Sequence, residues 1–437
     1  MAEDNDGIRL SRRKALAGLG SIGAATALGG VGTWAQFTDT ESESVTFTAG
    51  GIDGKVRYGA SYNGNDVKKF DGGNQASLEN VSVDFEKEQG VVESLFDEPE
   101  TVQAVSDVSI DIPENDVLAL VGESGCGKTT LGKTIIGVQR PTDGTVSYRG
   151  QDVWDAKDGR GDVTVPFDDI RRSLQMIHQD PGAALNPNRK VLTTLEAPLK
   201  KWDPEMSTED RRARIFALLD RVGMEPPEDY AHRFPHQLSG GEQQRIALVR
   251  ALLMNPDVIL ADEAVSALDV SLRVETMNLL LELQEQFNTS FVFISHNLSN
   301  ARYLAQEAGG RIGIMYLGEI VEIGPPDEVL NDPQHPYTKV LRWATADLDP
   351  TAQEMTDPPV RSIDIPDPVN PPSGCRFHTR CPEAREACTT TAPELGEEAA
   401  TANERCAACH RTDPDHDYWE SEPLDGVEAA ESPTLND

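Results

Sequence analysis

The chain has 437 residues, a length that allows two or three domains. Its formal net charge is −35, from 74 acidic and 39 basic residues. We therefore expect no nucleic-acid partner, because binding a phosphate backbone requires a basic surface. An acidic excess of this size is typical of a salt-adapted, halophilic cytoplasm, where it keeps the protein surface hydrated.

The first 35 residues have the features of an export signal. Residues 11–14 (SRRK) are basic, residues 15–31 are mildly apolar, and residues 33–35 offer the small residues of a cleavage site. A cytosolic amphipathic leader is the alternative, but the polar residues follow no helical stripe. Residues 36–77 are rich in Gly, Asn and Asp. Together, SRRKALAGLG, GTWAQFTDTES and FTAGG resemble the beginning of camelysin- or TasA-like secreted precursors.

From Leu78 onward the pattern changes to that of a folded domain without a membrane span. No apolar run there approaches the ~18 residues of a spanning helix. Two strands with partial alternation are predicted before residue 115. Their apolar residues are Leu78, Val81, Val83 and Phe85 in the first strand and Val105, Val108, Ile110 and Ile112 in the second.

The stretch 117–130, VLALVGESGCGKTT, predicts a strand, a glycine-rich turn and a helix over 128–136. It fits the pattern G-x-x-x-x-G-K-S/T in full. The glycines let backbone N–H groups point at a polyphosphate, and the helix start adds its positive end. Lys128 would reach the β- and γ-phosphates, and the Thr129 hydroxyl would ligate Mg²⁺. The candidate nucleotide-binding residues here are Gly122, Glu123, Ser124, Gly125, Cys126, Gly127, Lys128, Thr129 and Thr130.

Phe85 has two interpretations that the sequence leaves open. It is either an aromatic side chain that stacks on the nucleotide base or an ordinary core residue. The long spacer between Phe85 and Gly122 obscures its position relative to the loop.

Residues 185–255 are predicted to be mostly helical and to form a subdomain inserted into an α/β core. Ser207 is placed as an N-cap, with Asp210 three residues later. The acidic stretch 152–169 is interpreted as a solvated insertion. One apolar face of the helix after Ser207 consists of Ile215, Leu218, Leu219 and Val222.

A second element typical of a phosphate site is the apolar run 258–261 followed by Asp262 and Glu263. It predicts a buried strand with Asp262 at its end, where the carboxylate would hold Mg²⁺. By strand alternation Glu263 would point the other way and would polarise an attacking water. Two solvated acids are the alternative interpretation, which the complete phosphate loop disfavours.

Residues 238–241 (LSGG), followed by a helical segment, form a second helix start suited to an anion. One chain with two phosphate cradles is most simply explained if each cradle covers the nucleotide of a partner subunit. Ser239, Gly240 and Gly241 are therefore candidate contacts to a nucleotide.

The order of these motifs resembles that of ABC-transporter ATPases. The matching segments are 122–130, Gln179 in QMIHQDP, LSGG, Asp262-Glu263, SALD at 266–269, and His296 in FVFISHN. The resemblance implies a P-loop NTPase (RecA-like) α/β core with an antiparallel β subdomain, an inserted α-helical subdomain and a small Cys-rich tail. It also implies ATP and Mg²⁺ as cofactors.

The resemblance further implies a role for each matching residue. Gln179 would contact Mg²⁺ and the lytic water, and His296 would orient that water with the catalytic Glu263. Ser239 and Gly241 would bind the γ-phosphate of the opposite subunit's ATP. Asp269 would couple the two sites.

A narrower resemblance is to the peptide-import branch, which includes oligopeptide, dipeptide and nickel importers. It rests on QDPGAALNP, MYLGEIVEIGPPDEVL, HPYTKVL and GCRFHTRCPEAREAC, and QMIHQDP favours the F-type subunit. The implied partners are a second ABC ATPase subunit (a sister subunit or a second copy), two transmembrane permease subunits and an extracellular solute-binding protein. The implied location is the cytoplasmic face of the membrane. A nickel importer ATPase and a soluble ABC ATPase remain as alternatives.

Departures from the family pattern are mild. Ala264 stands where proline is usual, His178 replaces an aromatic residue and Glu242 replaces glutamine. None of them removes a catalytic group. The export-like leader conflicts with an ATPase that uses cytosolic ATP, so residues 1–77 indicate a gene fusion, a mis-joined reading frame or an uncleaved anchor.

Five of the six cysteines lie between residues 375 and 409. Zinc, an iron–sulfur cluster and free thiols are the three interpretations, and the loose spacing suits a cluster better than a zinc knuckle. The family tail implies a [4Fe–4S] cluster on Cys375, Cys381, Cys388 and Cys409, with Cys406 as a spare or rival ligand. The expected domains are 1–35, 36–77, the ATPase domain 78–345 and a C-terminal extension 346–437.

Overall fold

The computed structural model describes residues 61–62, 65–66, 73–86, 101–180, 182, 185–266, 268–345, 359–396 and 405–424. The predicted export signal and most of residues 36–77 lie outside this part. Within the described ranges, no helix has the length and apolar character to cross a bilayer. The chain divides into unit 1 (residues 1–73 and 168–291) and unit 2 (residues 74–167 and 292–437).

Unit 2 contains an antiparallel sheet with the strand order β4-β3-β6-β7. Its strands are β3 (Asn74–Glu86), β4 (Thr101–Pro113), β6 (Asp143–Tyr148) and β7 (Gln151–Asp152). The apolar residues predicted to alternate on β3 and β4 are buried, except for Phe85. This sheet is the predicted antiparallel β subdomain.

Two bulges explain why the alternation on β3 and β4 is only partial. The register of the pair shifts between Leu78 and Val81, where Asn80 has a φ of 50°, and Asp107 on β4 has a φ of 48°. The Asn80 Nδ2 donates to Asp107 Oδ1 over 3.0 Å, so the two irregular positions stabilise each other. Each bulge adds a residue, which returns the following apolar side chains to the core face.

A second sheet in unit 2 carries the phosphate loop. Its order is β13-β12-β11-β5, with β10 beside β5, and β5 and β11 are parallel. The helix Leu298–Glu307 packs on the strand Val117–Val121. The elements are β5 (Val117–Val121), α1 (Lys128–Ile135), β10 (Ser290–Ser295), α9 (Leu298–Glu307), β11 (Arg311–Tyr316), β12 (Glu319–Gly324), α10 (Pro326–Asn331), α11 (Pro336–Thr345) and β13 (Cys406–Ala407). The strand and helix predicted on either side of the glycine-rich turn are confirmed.

Unit 1 contains a parallel strand pair and a group of helices. Its strands β8 (Leu174–Ile177) and β9 (Val258–Asp262) are parallel, and β1 (Ser61–Tyr62) pairs with β2 (Asn65–Asp66). The helices are α3 (Phe167–Ser173), α4 (Val191–Trp202), α5 (Thr208–Arg221), α6 (Pro227–Ala231), α7 (Gly240–Leu252) and α8 (Val270–Phe287). The Ser207 hydroxyl accepts from Asp210 N at the start of α5, as predicted, and the predicted apolar face of α5 is buried.

The prediction of a solvated insertion at 152–169 is wrong for its first part. The helix α2 (Val153–Asp158) begins there, and Asp152 caps it by accepting from the N–H groups of Trp154 and Asp155. Val153 is fully buried and Trp154 nearly so. The acidic composition hid two apolar residues that anchor this segment.

The C-terminal extension (residues 359–396 and 405–424) belongs to unit 2. It adds β13 to the edge of β12, with Ile323 opposite Cys406, and contains the short helix α12 (Ala387–Thr390). Phe377 is 1% exposed and packs against Tyr316 of β11 and Tyr337 of α11, with ring centroids 5.2 and 5.5 Å apart. The extension therefore has an aromatic core in common with the phosphate-loop sheet.

Candidate nucleotide-binding and catalytic site

Backbone contacts of the phosphate loop require glycine at two of its positions. A Cβ on Gly122 would lie 2.1 Å from the Met315 carbonyl oxygen. One on Gly127, where φ is 105°, would lie 2.0 Å from the carbonyl oxygen of Ala104. The loop is thus held against β11 on one side and β4 on the other, which fixes the direction of its N–H groups.

Lys128 places a buried ammonium group inside this loop. Its Nζ donates to Gly122 O over 2.9 Å and to Glu123 O over 2.7 Å, and it lies 3.6 Å from Cys126 Sγ. Burial raises the pKa of the Cys126 thiol, against an opposing effect of Lys128, so the thiol adds no charge at neutral pH. The loop is therefore cationic at its centre, as phosphate binding requires.

The start of α1 is suited to an anion. Gly127 is the N-cap, with no side-chain capping bond, and the first turn carries no acidic residue. Thr129 and Thr130 lie in that turn and are half-buried, whereas Ser124 and Gly125 are exposed. The positive end of the helix dipole thus coincides with the Lys128 ammonium.

Glu123 is the acidic residue of the loop, and two residues of distant sequence hold it. Its backbone N–H donates to the Tyr337 hydroxyl over 2.9 Å. Its carboxylate accepts two bonds from Arg380, at 3.0 and 3.1 Å. Tyr337 and Arg380 were not predicted as site residues, because HPYTK and HTRC served only as marks of a family resemblance.

Tyr337 is fully buried and is positioned by the start of α11. The Glu322 carboxylate accepts from the N–H groups of Gln334 and His335, at 2.9 and 3.1 Å. Burial lowers the pKa of His335 to about 3, so its neutral Nδ1 can accept from Tyr337 N over 3.1 Å. Burial also raises the pKa of the Tyr337 hydroxyl, which keeps it protonated.

Phe85 lies at the end of β3, in the same unit as the loop. It is 41% exposed and pairs with Val102, two residues from the Ala104 carbonyl that contacts Gly127. The interpretation of Phe85 as a core residue is therefore wrong. Its exposure and its place in the sheet agree with a stacking position, which stays a prediction.

The two carboxylates of unit 1 occupy different backbone environments. Asp262 is the last residue of β9 and is 7% exposed. Glu263 lies beyond the strand with a φ of 47°. The prediction that strand alternation sets the direction of its side chain is therefore wrong. Its Oε2 accepts from Gln179 Nε2 over 2.7 Å, which brings two of the predicted catalytic side chains together.

The LSGG segment starts α7 in unit 1. Ser239 is its N-cap: the hydroxyl accepts from Glu242 N over 3.3 Å, and Ser239 N donates to Glu242 Oε2 over 2.6 Å. Ser239 and Gly240 are exposed, whereas Gly241 is buried against Leu272. The unusual Glu242 thus closes a capping box at this helix start.

The last two predicted residues lie at helix starts. Asp269 is exposed and caps α8 by accepting from Leu272 N over 3.0 Å. His296 is exposed and follows β10, one residue before the α9 N-cap Asn297. The loop, Phe85 and His296 belong to unit 2, and Gln179, Asp262, Glu263, LSGG and Asp269 belong to unit 1.

Four of the tail cysteines line one small cavity in unit 2: Cys375, Cys381, Cys388 and Cys409. Cys406 does not line it and lies in β13. Burial raises the pKa of all four thiols, that of Cys409 to about 11. Among the described residues, no three His, Cys, Asp or Glu side chains are arranged to ligate a single metal ion.

Two family models match the chain. The ABC transporter model matches residues 105–266, and the model of the oligopeptide/dipeptide transporter C-terminal region matches residues 321–388. Neither match covers the first 104 residues, so the resemblance of that part to secreted precursors gains no support.

Curated relatives match nearly their whole length. The Di/tripeptide transport ATP-binding protein DppF of Pseudomonas aeruginosa is 40% identical over 332 residues, which are 76% of this chain and 96% of the relative. The Oligopeptide transport ATP-binding protein AppF of Bacillus subtilis is 39% identical, with 71% and 89% covered. OppF of Salmonella typhimurium is also 39% identical, with 73% and 91% covered.

The predicted fold class is confirmed, and so is the assignment to the ATPases. The phosphate loop, its flanking strand and helix and the antiparallel sheet occur in one chain with the matched family regions. The chain belongs to the ABC-transporter ATP-binding proteins of the oligopeptide/dipeptide transporter family.

Proposed function

We propose that this chain binds and hydrolyses ATP to drive an ABC importer for peptides, as an F-type subunit on the cytoplasmic face of the membrane. The observation that carries the proposal is the similarity to peptide-transport ATP-binding proteins over nearly their whole length. The phosphate loop also supports the proposal, because the Lys128 ammonium at its centre is suited to bind the phosphates of ATP. The partners are a second ATPase subunit, two transmembrane permease subunits and an extracellular solute-binding protein.

In this proposal the loop residues 122–130 hold the polyphosphate, with Lys128 on the β- and γ-phosphates and Phe85 against the base. Thr129, Asp262 and Gln179 are the residues that would hold Mg²⁺, which would neutralise phosphate charge. The donor set fits, because hydroxyl, carboxylate and amide oxygens are the ligands that Mg²⁺ prefers. Asp262 is also buried at a strand end, where its carboxylate is held in one place.

Glu263 is the catalytic carboxylate of the proposal. It accepts a proton from the attacking water, which Gln179 and His296 orient. The 2.7 Å bond between Gln179 and Glu263 supports this pairing. Ser239, Gly240 and Gly241 cover the ATP of the opposite subunit, and Asp269 couples the two sites. An isolated chain therefore binds ATP but hydrolyses it slowly.

The test replaces Glu263 by Gln in the full chain with its partner subunits. We expect ATP hydrolysis to fall by about 100-fold or more, because the general base is lost while the shape is kept. ATP binding, measured by equilibrium titration, should stay within about twofold, since the loop is unchanged. The matched control is Glu285→Gln, on an exposed position of α8. Unchanged hydrolysis in the Glu263 variant would defeat the assignment.

A transport assay tests the cargo. The complex, purified with its permease and solute-binding protein and reconstituted in vesicles, should take up labelled dipeptides or oligopeptides when ATP is supplied. Uptake of Ni²⁺ but not of peptides would favour the nickel alternative. Failure of the chain to co-purify with permease subunits would favour a soluble ABC ATPase.

We also propose that Cys375, Cys381, Cys388 and Cys409 hold a [4Fe–4S] cluster. Their shared cavity supports this, and so does the burial that makes bare thiolates unfavourable without a cationic group. A single zinc ion needs about four ligands in a tetrahedral arrangement, whereas no group of three or more His, Cys, Asp or Glu among the described residues is arranged to hold one ion. Such a cluster would supply redox chemistry or structural cross-linking.

Anaerobic purification tests the cluster. We expect iron, sulfide and absorbance near about 400 nm, lost in Cys381→Ser and retained in Cys406→Ser. Zinc in place of iron, or neither metal, would contradict it.

For the domains, we propose an ATPase domain at 78–345, with its helical subdomain at 185–255, and an extension from 346. Sequencing the N-terminus of the mature protein would show whether residues 1–77 are present.

A further inference from the structure

The phosphate loop contains an acidic residue, Glu123, at a site that is proposed to bind the negatively charged phosphates of ATP. Glu123 directly follows Gly122, and its carbonyl oxygen accepts from Lys128 Nζ over 2.7 Å. An ionised carboxylate here repels the phosphates of ATP, because like charges at close range are unfavourable in a partly desolvated site. The binding of ATP therefore depends on what Glu123 faces.

Arg380 of the C-terminal extension faces Glu123 with good geometry. Its two terminal nitrogens donate to the two carboxylate oxygens, at 3.0 and 3.1 Å, in a fork that matches a carboxylate. The Arg380 side chain is 6% exposed and that of Glu123 is 24% exposed. The pair is thus largely withdrawn from solvent, where its charges are poorly screened.

The guanidinium of Arg380 cannot easily leave Glu123. It lies over the rings of Tyr316 and Phe377, 5.7 Å from each centroid, and donates to the Tyr316 hydroxyl over 3.4 Å. Arg380 N also donates to Phe377 O over 2.9 Å. The cation is therefore fixed by the aromatic core of unit 2 and not by the loop alone.

Tyr337 holds the backbone of the same residue from another element. Its hydroxyl accepts the Glu123 N–H over 2.9 Å, in the turn that follows Gly122. This N–H faces α11, so the hydroxyl fixes the peptide orientation at the entry of the loop. Two independent contacts, one to the backbone and one to the carboxylate, converge on Glu123.

We propose that Arg380 and Tyr337 are positioning residues for ATP binding: Arg380 neutralises Glu123 and turns its carboxylate away from the phosphates, and Tyr337 fixes the peptide at Glu123. The C-terminal extension thereby sets the nucleotide affinity of the loop. The inference rests on the proposed function, since it takes ATP as the ligand of residues 122–130. It adds a role for the extension that hydrolysis itself does not require.

The experiment is an equilibrium titration of the full chain with a fluorescent ATP analogue, and the unchanged chain is measured first. Arg380→Gln should weaken binding by about tenfold, because Glu123 is left uncompensated. Glu123→Gln alone should change affinity by less than about threefold, because Arg380 loses its acceptor but no repulsion arises. The double variant Glu123→Gln with Arg380→Gln should recover affinity to within about threefold of the unchanged chain.

Two further variants separate charge from packing. Arg380→Lys keeps the cation and should recover at least half of the lost affinity, and Tyr337→Phe should weaken binding by about threefold. The matched control is Arg385→Gln, because Arg385 is also a buried arginine of the extension but donates to the carbonyls of Trp419 and Ser421, away from the loop. It should bind ATP as the unchanged chain does.

The outcomes separate a failure of the proposed function from a failure of the role given to Arg380. If the unchanged chain fails to bind ATP, the proposed function fails. If it binds ATP and Arg380→Gln binds equally well, the role of Arg380 is overturned. A double variant as weak as Arg380→Gln would also overturn it, because the loss would then come from packing and not from the charge on Glu123.

Discussion

Two helix starts of this chain are candidates for phosphate binding, and they are built in opposite ways. The start of α1 has Gly127 as its N-cap, no capping side chain and no acid in its first turn. The start of α7 has Ser239 as its N-cap and is closed by the Glu242 carboxylate of its own first turn. At the start of α1 no side chain of the helix takes the place of a bound anion. At the start of α7 the Ser239 N–H already donates to a carboxylate of the same helix.

In the proposed site shared by two subunits, this difference would keep the α7 start from binding anions while the chain is alone. The α1 start adds the Lys128 ammonium, so it attracts ATP on its own. An anion at the α7 start must compete with a carboxylate that accepts from Ser239 N over 2.6 Å. Binding at α7 is therefore expected only when a partner subunit delivers a nucleotide at high local concentration.

The largest expected effect separates the two starts by nucleotide affinity. Lys128→Ala should lower the ATP affinity of the isolated chain by about 100-fold or more, because a buried charge-assisted contact to phosphate is lost. Ser239→Ala should leave that affinity within about twofold and lower hydrolysis by the assembled complex. Binding is measured by titration at concentrations that keep the chain monomeric. An equal loss of ATP affinity in both variants would contradict the claim that only the α1 start binds ATP in the isolated chain.

Glycine substitutions give the next effect, on stability. Gly127→Ala places a methyl group 2.0 Å from Ala104 O, at a φ of 105°, whereas a methyl group on Gly240 meets nothing within 4 Å. We expect the first to destabilise unit 2 by about 3 kcal/mol or more and the second to change stability by less than about 0.5 kcal/mol. Thermal melting of the two variants side by side checks this. A Gly127→Ala protein that melts like Gly240→Ala would show that β4 does not confine the loop.

The smallest effect concerns pH and Glu242. Burial alone would raise the pKa of Glu242, but hydrogen bonds from the Ser239 N–H and hydroxyl lower it below its usual value. Its stabilisation is thus present above the unfolded-state pKa of about 4.3 and is lost as pH falls through the lower folded-state pKa. Glu242→Gln should cost only a few tenths of a kcal/mol at pH 7, because solvent screens this half-exposed group.

The measurement is the unfolding free energy between pH 7 and pH 3. The unchanged chain should lose stability more steeply than Glu242→Gln below about pH 5. Glu285→Gln, on the exposed face of α8, serves as the control and should follow the unchanged chain. Parallel curves for all three proteins would contradict a capping box that depends on charge.

The sequence was most informative where a motif lies between elements of clear period. The apolar run before Gly122 and the helix after it are predicted within one residue, because burial and the loop pattern agree. The cap at Ser207 is predicted for the same reason: a capping pattern precedes a helix with one apolar face.

Contacts between distant parts of the chain were not predictable. Nothing in the spacing of HTRC or HPYTK indicates that Arg380 and Tyr337 meet Glu123, more than 200 residues earlier. The direction of Glu263 was also missed, because alternation holds only while the backbone stays extended and β9 ends at Asp262. Tertiary packing and one backbone angle decided these points.

The left-handed backbone of Glu263 has a consequence for how this enzyme would respond to selection. A non-glycine residue in that conformation costs about 1 kcal/mol or more, which glycine avoids. Glycine at this position would avoid that cost, but it would also lose the carboxylate that accepts from Gln179. Backbone geometry alone would favour glycine at this turn, so the glutamate found there points to a demand for its carboxylate.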